Sequence, residues 1–285
     1  MTDLRLDAAL LRDLEGFALG VASEAALLIA ERAEAGVSAT KSSPTDVVTE
    51  MDRRAQALIE ERIAAYRPQD AFFGEEDGNR AGSSGITWVV DPIDGTVNYV
   101  YDIPAYAVSV AAVVGDPRTP GAWTPVAGAV VNPVSGERFW ARAGGGASRQ
   151  RGRLGATRIG VSTQRDLSLA LIGTGFGYEP ATRAWQARVL APLLPRVRDI
   201  RRFGSAALDL CHVADGSLDA YYERGLNPWD MAAGSLIVTE AGGTVSGLDG
   251  APASRDFVIA GGACANDLNL LLQAIHEKVG PHPAP

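Results

Sequence analysis

Apolar residues recur at spacings of three and four between Leu4 and Glu34 (Leu10, Leu11, Leu14, Phe17, Ala18, Val21, Ala25, Leu28 and Ile29). That period predicts a helix with one buried stripe, closed by Ala35-Gly36-Val37. A polar loop, Ser38 to Thr45, follows. Thr49-Glu50-Met51-Asp52 then reads as an N-cap with an acidic N3 residue, opening a second helix whose stripe is Ala55, Leu58, Ile59 and Ile63 and which ends before Pro68. From Phe72 the pattern changes to short β-type runs: Phe72-Phe73, Ile86 to Val90, Ala107 to Val114, Val126 to Val131, Glu137 to Ala141, Leu167 to Gly175 and Ala220 to Tyr222. The Gly, Pro and Asn turns between Ala107 and Ala141 suit antiparallel hairpins, with Gly144-Gly145-Gly146 as a hairpin tip. Helices are expected over Ala181 to Leu194, stopped by Pro195, from Gly204-Ser205 to Ala214, and from Asn227-Pro228 to Ala241, closed by Gly242-Gly243. Strand runs in two blocks, with helices between and outside them, predict layered α/β structure. We expect one domain over residues 1–285, with sub-domains of roughly 1–145 and 146–285 sharing a core.

Three strand or helix ends are acidic, and each breaks the apolar pattern. The run Ile86 to Val90 stops on Asp91, a carboxylate that a hydrocarbon interior rejects unless something compensates it. Pro92 fixes φ, and Asp94-Gly95 is turn chemistry, so a tight bend would bring Asp91 and Asp94 to one mouth. With the Thr96 hydroxyl and the Ile93 carbonyl this makes an all-oxygen set suited to a hard cation such as Mg²⁺. Phe72-Phe73-Gly74 runs into Glu75-Glu76-Asp77, and Asp230 sits in the first turn of a small-residue helix. Taken singly, each also fits an ordinary acidic turn, an exposed loop or a carboxylate placed on a helix dipole.

Composition narrows the chemistry. The net charge of −8 and pI of about 5.0 disfavour a nucleic-acid-coating role, the arginine clusters at 149–158 and 196–202 being local exceptions that fit solvated hairpin or helix ends. Three histidines, two of them near the Pro-rich tail, leave no material for a zinc site or a Ser-His-Asp triad. Cys211 and Cys264 fit core thiols, and no G-x-x-x-x-G-K stretch exists for a P-loop. The acidic first helix does not read as a signal or transit peptide, and no apolar run is long enough to span a membrane, so a soluble cytoplasmic protein is expected.

The acidic places, taken together and in order, resemble the inositol monophosphatase family of Mg²⁺-dependent phosphatases. The matching pieces are Gly74-Glu75-Glu76, Asp91-Pro92-Ile93-Asp94-Gly95-Thr96 and Trp229-Asp230-Met231-Ala232-Ala233-Gly234. Lys41-Ser42-Ser43-Pro44-Thr45-Asp46-Val47-Val48-Thr49 is similar to the family's mobile loop, and Gly204-Ser205-Ala206-Ala207 and Ala220-Tyr221-Tyr222-Glu223 to its substrate-side segments. Ser205, where a threonine is frequent, and Asn227-Pro228 before the tryptophan are departures that bear on substrate preference.

The resemblance implies an αβαβα sandwich, a homodimer, lithium sensitivity and hydrolysis of inositol 1-phosphate or a similar polyol phosphate. It implies a first Mg²⁺ on Glu75, Asp91 and the Ile93 carbonyl, a second on Asp91, Asp94 and Asp230, and a third on Glu75, with Glu76 acting through water. Glu75 and Thr96 are expected to orient and deprotonate the attacking water, with Asp94 beside them and Lys41 on a lid. The implied substrate contacts are Asp94, Gly95, Thr96, Gly204, Ser205, Ala206, Glu223 and Asp230. Glu223 offers acceptors for a polyol hydroxyl, or alternatively pairs with Arg224 or Arg202. Relatives acting on fructose 1,6-bisphosphate, histidinol phosphate or an adenosine bisphosphate, and a regulatory partner protein, are the competing readings.

Overall fold

The computed structural model describes residues 6–31, 37–40 and 47–282. Helix α1 (Ala8–Ala30) precedes a small antiparallel pair, β1 (Val37–Thr40) and β2 (Val47–Thr49), and helix α2 (Glu50–Tyr66). Seven strands then form one sheet in sequence order: β3 (Ala71–Gly74), β4 (Ile86–Asp94), β5 (Ala107–Gly115), β6 (Trp123–Val131), β7 (Glu137–Arg142), β8 (Gly146–Arg151) and β9 (Thr157–Arg158). A short helix, α3 (Thr96–Val100), interrupts them after β4. The second sheet is built from β10 (Leu171–Thr174), β11 (Asp199–Arg201), β12 (Ala220–Glu223), β13 (Thr244–Ser246) and β14 (Val258–Gly261), in the order β11-β10-β12-β14-β13. Helices α4 (Pro180–Leu193), α5 (Ala206–Ala214), α6 (Pro228–Glu240) and α7 (Ala265–Val279) alternate with these strands.

Side-chain alternation on the strands sets the layers. On β5, Val108, Val110 and Ala112 face the cluster made with α1 and α2, while Ala107, Ala111 and Val113 face the cluster made with α5 and α6. On β12, Tyr221 faces α5 and α6, and Tyr222 faces α4 and α7. The order is therefore α1/α2, seven-stranded sheet, α5/α6, five-stranded sheet, α4/α7, the expected αβαβα sandwich. A middle layer covered by sheets on both sides must be apolar all round and thin. Helix α6 meets this with Met231, Ala232, Ala233, Gly234, Leu236, Ile237 and Val238, all buried. A Cβ at Gly234 would stand 2.7 Å from the Leu210 side chain of α5.

Several boundaries differ from the sequence expectation. The first helix starts at Ala8 rather than Leu4, because the Asp7 carboxylate accepts from the Ala9 and Leu10 amides at 3.0 and 2.9 Å and caps it. Val37–Thr40 is a strand where a polar loop from Ser38 was expected; its register with Thr49 to Val47 supplies the missing backbone partners. Lys41 lies outside the described residues. The run from Leu167 begins as a turn of 3-10 helix, Leu167–Leu169, before β10. The seven-stranded sheet continues past residue 145 to Thr157–Arg158, and Gly144-Gly145 forms the expected hairpin tip. Both cysteines are free and buried. Among the described residues no helix is long and apolar enough to cross a membrane.

Candidate active site

Asp91 and Asp94 are three positions apart on β4, and regular alternation would point them to opposite faces. The pairing with β5 corrects this: Asp91 faces Ser109 while Asp94 faces Ala107, so one extra residue is inserted on β4. The resulting bulge turns Asp94 back toward the side of Asp91. The expected bend sits at Gly95, whose φ of 98° lies in the left-handed region. A Cβ there would lie 3.0 Å from the Ala105 and Gly204 carbonyls, so glycine is required by both conformation and space.

Asp230 reaches the same mouth from the N3 position of α6. Its Oδ2 accepts from the Asn227 amide at 2.7 Å, and the Ser109 hydroxyl donates to the Trp229 carbonyl at 3.2 Å, tying the start of α6 to the residue opposite Asp91. One oxygen from each of Asp91, Asp94 and Asp230 lies within 4.8 Å of the others. Glu75 joins from the end of β3, where its amide donates to the Val90 carbonyl at 3.1 Å and its side chain hydrogen-bonds Asp91. Glu76 lies one residue further out, its amide held by Gln56 Oε1 at 2.9 Å.

The electrostatics of these carboxylates differ sharply. Burial, then the charges of Glu75, Asp94 and Asp230, push Asp91 well above the carboxylate range, and burial with Asp94 and Glu75 does the same to Asp230. Asp94 is raised by burial only to about 6, because Ser205 and the first amides of α5 oppose the rise. The Ser205 hydroxyl donates to Asp94 Oδ2 at 2.6 Å and the Ala207 amide at 2.7 Å. The helix start expected as a substrate cradle thus spends these two donors on Asp94. Gly204 has φ 90°, and its carbonyl backs Gly95.

Thr96 Oγ1 lies 3.1 Å from both Asp52 Oδ1 and the Ile93 carbonyl, its one proton serving one acceptor at a time. Asp52 is fully buried, and its other oxygen accepts from the Thr49 amide and hydroxyl at 2.7 and 2.5 Å. Burial raises it to about 6 against those bonds. The sequence reading gave Asp52 a capping role alone; the capping box is present, and the same carboxylate also reaches the site. Its signal was its place three residues before Ala55, in line with the apolar stripe Ala55, Ile59 and Ile63.

Glu223 ends β12 as expected, but neither arginine hydrogen-bonds it. Arg224 bonds Asp256, and Glu223 Oε2 accepts instead from the Tyr221 hydroxyl on the same strand face. Burial raises Glu223 to about 7 against the Tyr221 bond and the charge of Arg202. Any side chain at Gly175 would strike this carboxylate, with a Cβ 1.9 Å from Oε2.

The class that fold and site define is an αβαβα sandwich carrying a cluster of three carboxylates with the spacing to hold a metal ion. A desolvated group of mutually repelling carboxylates is the donor set a hard divalent cation satisfies. The sequence profile of the inositol monophosphatase family matches residues 10–282, and the chain belongs to that family. It is 46% identical over 257 residues to "Inositol-1-monophosphatase SuhB" of Mycobacterium tuberculosis, covering 88% of this chain and 85% of that protein. The "Nus factor SuhB" of Escherichia coli is 37% identical over 254 residues, covering 88% and 90%. The solved structure of Mycobacterium tuberculosis SuhB superposes with a TM-score of 0.77 at 42% identity, over 93% of this chain and 97% of that one.

Proposed function

We propose that the protein is a Mg²⁺-dependent phosphomonoesterase that hydrolyses inositol 1-phosphate to inositol and phosphate. The convergence of Asp91, Asp94 and Asp230 within 4.8 Å carries this reading. The residues that would hold the ions are Glu75, Asp91, the Ile93 carbonyl, Asp94 and Asp230, with Glu76 at the periphery. When bound, divalent ions would neutralise the phosphoryl oxygens and the departing alkoxide and would acidify water.

The chain's own groups divide the remaining work. Thr96 Oγ1 sits where it can orient the attacking water, and Asp52 Oδ1 can take up a proton passed through that hydroxyl. A proton acceptor near 6 is largely ionised at neutral pH and still basic enough to serve. Ser205 and the α5 amides keep Asp94 oriented and more ionisable than Asp91. Glu223, locked by Tyr221, offers a polyol hydroxyl its remaining acceptor capacity. The name carried by the Mycobacterium tuberculosis relative favours inositol 1-phosphate over the bisphosphates and histidinol phosphate. Lys41 on a lid, a homodimeric assembly and lithium inhibition complete the proposal.

Phosphate release from inositol 1-phosphate, with Mg²⁺ and then with a chelator, tests it. Turnover should require the metal and fall in Asp91→Asn. Turnover that persists in chelator would overturn the metal-dependent reading.

A further inference from the structure

Phe73 and Trp229, neighbours in sequence of Glu75 and Asp230, line an open groove of about 280 Å³. Its walls are Phe73, Trp123, Trp229 and Pro228, and its rim carries Arg118 and Arg255. None of the residues lining it is acidic. In a chain of net charge −8, that is a local reversal of sign. The rings of Phe73 and Trp229 pack with centroids 5.3 Å apart, and the Arg118 guanidinium lies 4.8 Å over Phe73. Arg118 has a loose exposed partner in Asp116 at 3.7 Å, and Arg255 donates to Asn227 Oδ1 at 3.4 Å.

We propose that this groove is a second ligand site, for a small planar aromatic anion, and that its occupancy is felt at the acid cluster. The flat rings and prolines supply an apolar slot for an aromatic body, and two guanidiniums supply charge-assisted donors for one anionic group. The volume suits a molecule of about two fused rings, at the lower edge of the ~300–1,000 Å³ of ordinary ligand pockets.

The link to the cluster is short. Phe73 stands two residues before Glu75, and Trp229 one residue before Asp230. Arg255 holds the side chain of Asn227, whose amide in turn donates to Asp230 Oδ2 at 2.7 Å. An anion that draws Arg255 away from Asn227 therefore loosens the residue that orients Asp230. Binding and metal affinity then change each other by the same factor. This second half rests on the reading of Asp230 as a metal ligand; the binding half does not.

Naphthalene sulfonate, followed by its own fluorescence, is a suitable probe, with uncharged naphthalene methanol as the control. Saturable one-to-one binding is expected in the wild type. Both arginines are exposed, so Arg118→Ala with Arg255→Ala should melt as the wild type does while binding the probe about a hundredfold more weakly, the loss of two charge-assisted contacts. The neutral control should bind wild type and variant alike. Absent or non-saturable binding, or equal affinity in the double variant, overturns the site. A saturating probe that leaves the Mg²⁺ concentration for half-maximal thermal stabilisation unchanged overturns the coupling. Phosphate release is read separately, so a failed phosphatase assay would not be mistaken for either result.

Discussion

Two strand ends in this molecule carry buried carboxylates, and the protein treats them in opposite ways. At the end of β12, Glu223 is given a partner of its own, the Tyr221 hydroxyl, and the charge of Arg202, and it rises only to about 7. At the end of β4, Asp91 faces Glu75, Asp94 and Asp230, all acidic, and is driven far above its normal range. A side chain already satisfied by the fold can wait for a neutral hydroxyl. A group of acids the fold leaves in mutual repulsion calls for a cation. Asp94 shows the intermediate case within one strand: three residues from Asp91, it is partly neutralised by Ser205 and the start of α5.

The contrast can be broken most forcefully at the metal side. Asp230→Asn and Asp91→Asn should each lower turnover by about a thousandfold, since metal stabilisation of the transition state is worth several kcal/mol. Each should also lose most of the rise in melting temperature that Mg²⁺ gives the wild type, about 2.7 kcal/mol at 100 times the dissociation constant. Equal thermal shifts in variant and wild type would contradict the ligand assignment.

Next in size is the Thr96–Asp52 pair. Thr96→Ala and Asp52→Asn should each lower kcat by about a hundredfold or more, the range of a positioned proton acceptor, with Mg²⁺ stabilisation retained. The wild-type activity should have an acid limb near pH 6 on a simple aryl phosphate, because Asp52 must be ionised. On inositol 1-phosphate the limb should lie nearer 7, where Glu223 ionises. Identical limbs on both substrates would detach Glu223 from polyol binding.

Glu223→Gln is expected to weaken inositol 1-phosphate turnover by about ten- to a hundredfold, an unmade hydrogen bond at ~1–3 kcal/mol, and to leave the aryl phosphate nearly unchanged. Steady-state comparison of the two substrates checks it.

The smallest effect concerns Asp209, buried on α5 with Oδ1 lacking a hydrogen-bond partner among the described residues. Burial, then the charges of Glu223 and Asp94, raise it well above the normal range. A raised folded-state value means that its contribution is fully present below the unfolded value near 4 and is lost as pH climbs through the folded one. Asp209→Asn should therefore melt higher than the wild type at alkaline pH, with the gap closing as the pH falls toward about 4. A gap independent of pH would assign the effect to packing.

The layered fold and the three acidic places were legible from local pattern because each broke an apolar run where burial demanded a reason. What stayed hidden depends on contacts between distant segments. Asp52 had a complete local explanation as the N3 partner of Thr49, and only a bond spanning 44 residues, to Thr96, reveals its second face. Ser205 appeared as a donor for a ligand until the fold brought Asp94, more than 100 residues away, into reach of its hydroxyl and of the Ala207 amide. Tyr221 reads as core by alternation, and it is core; its hydroxyl reaches Glu223 because residues two apart on a strand share a face. The one-residue bulge on β4 has no marker beyond Pro92, since it exists only against β5.

The central claim is that the β4 and α6 carboxylates form a divalent-cation site for phosphate-ester hydrolysis. Phosphate release from inositol 1-phosphate titrated with Mg²⁺, in wild type and Asp230→Asn side by side, tests it most directly. Saturable Mg²⁺ dependence in the wild type, with turnover about a thousandfold lower in the variant, is the result predicted. Wild-type turnover that ignores Mg²⁺, or a variant as active as the wild type, would contradict it.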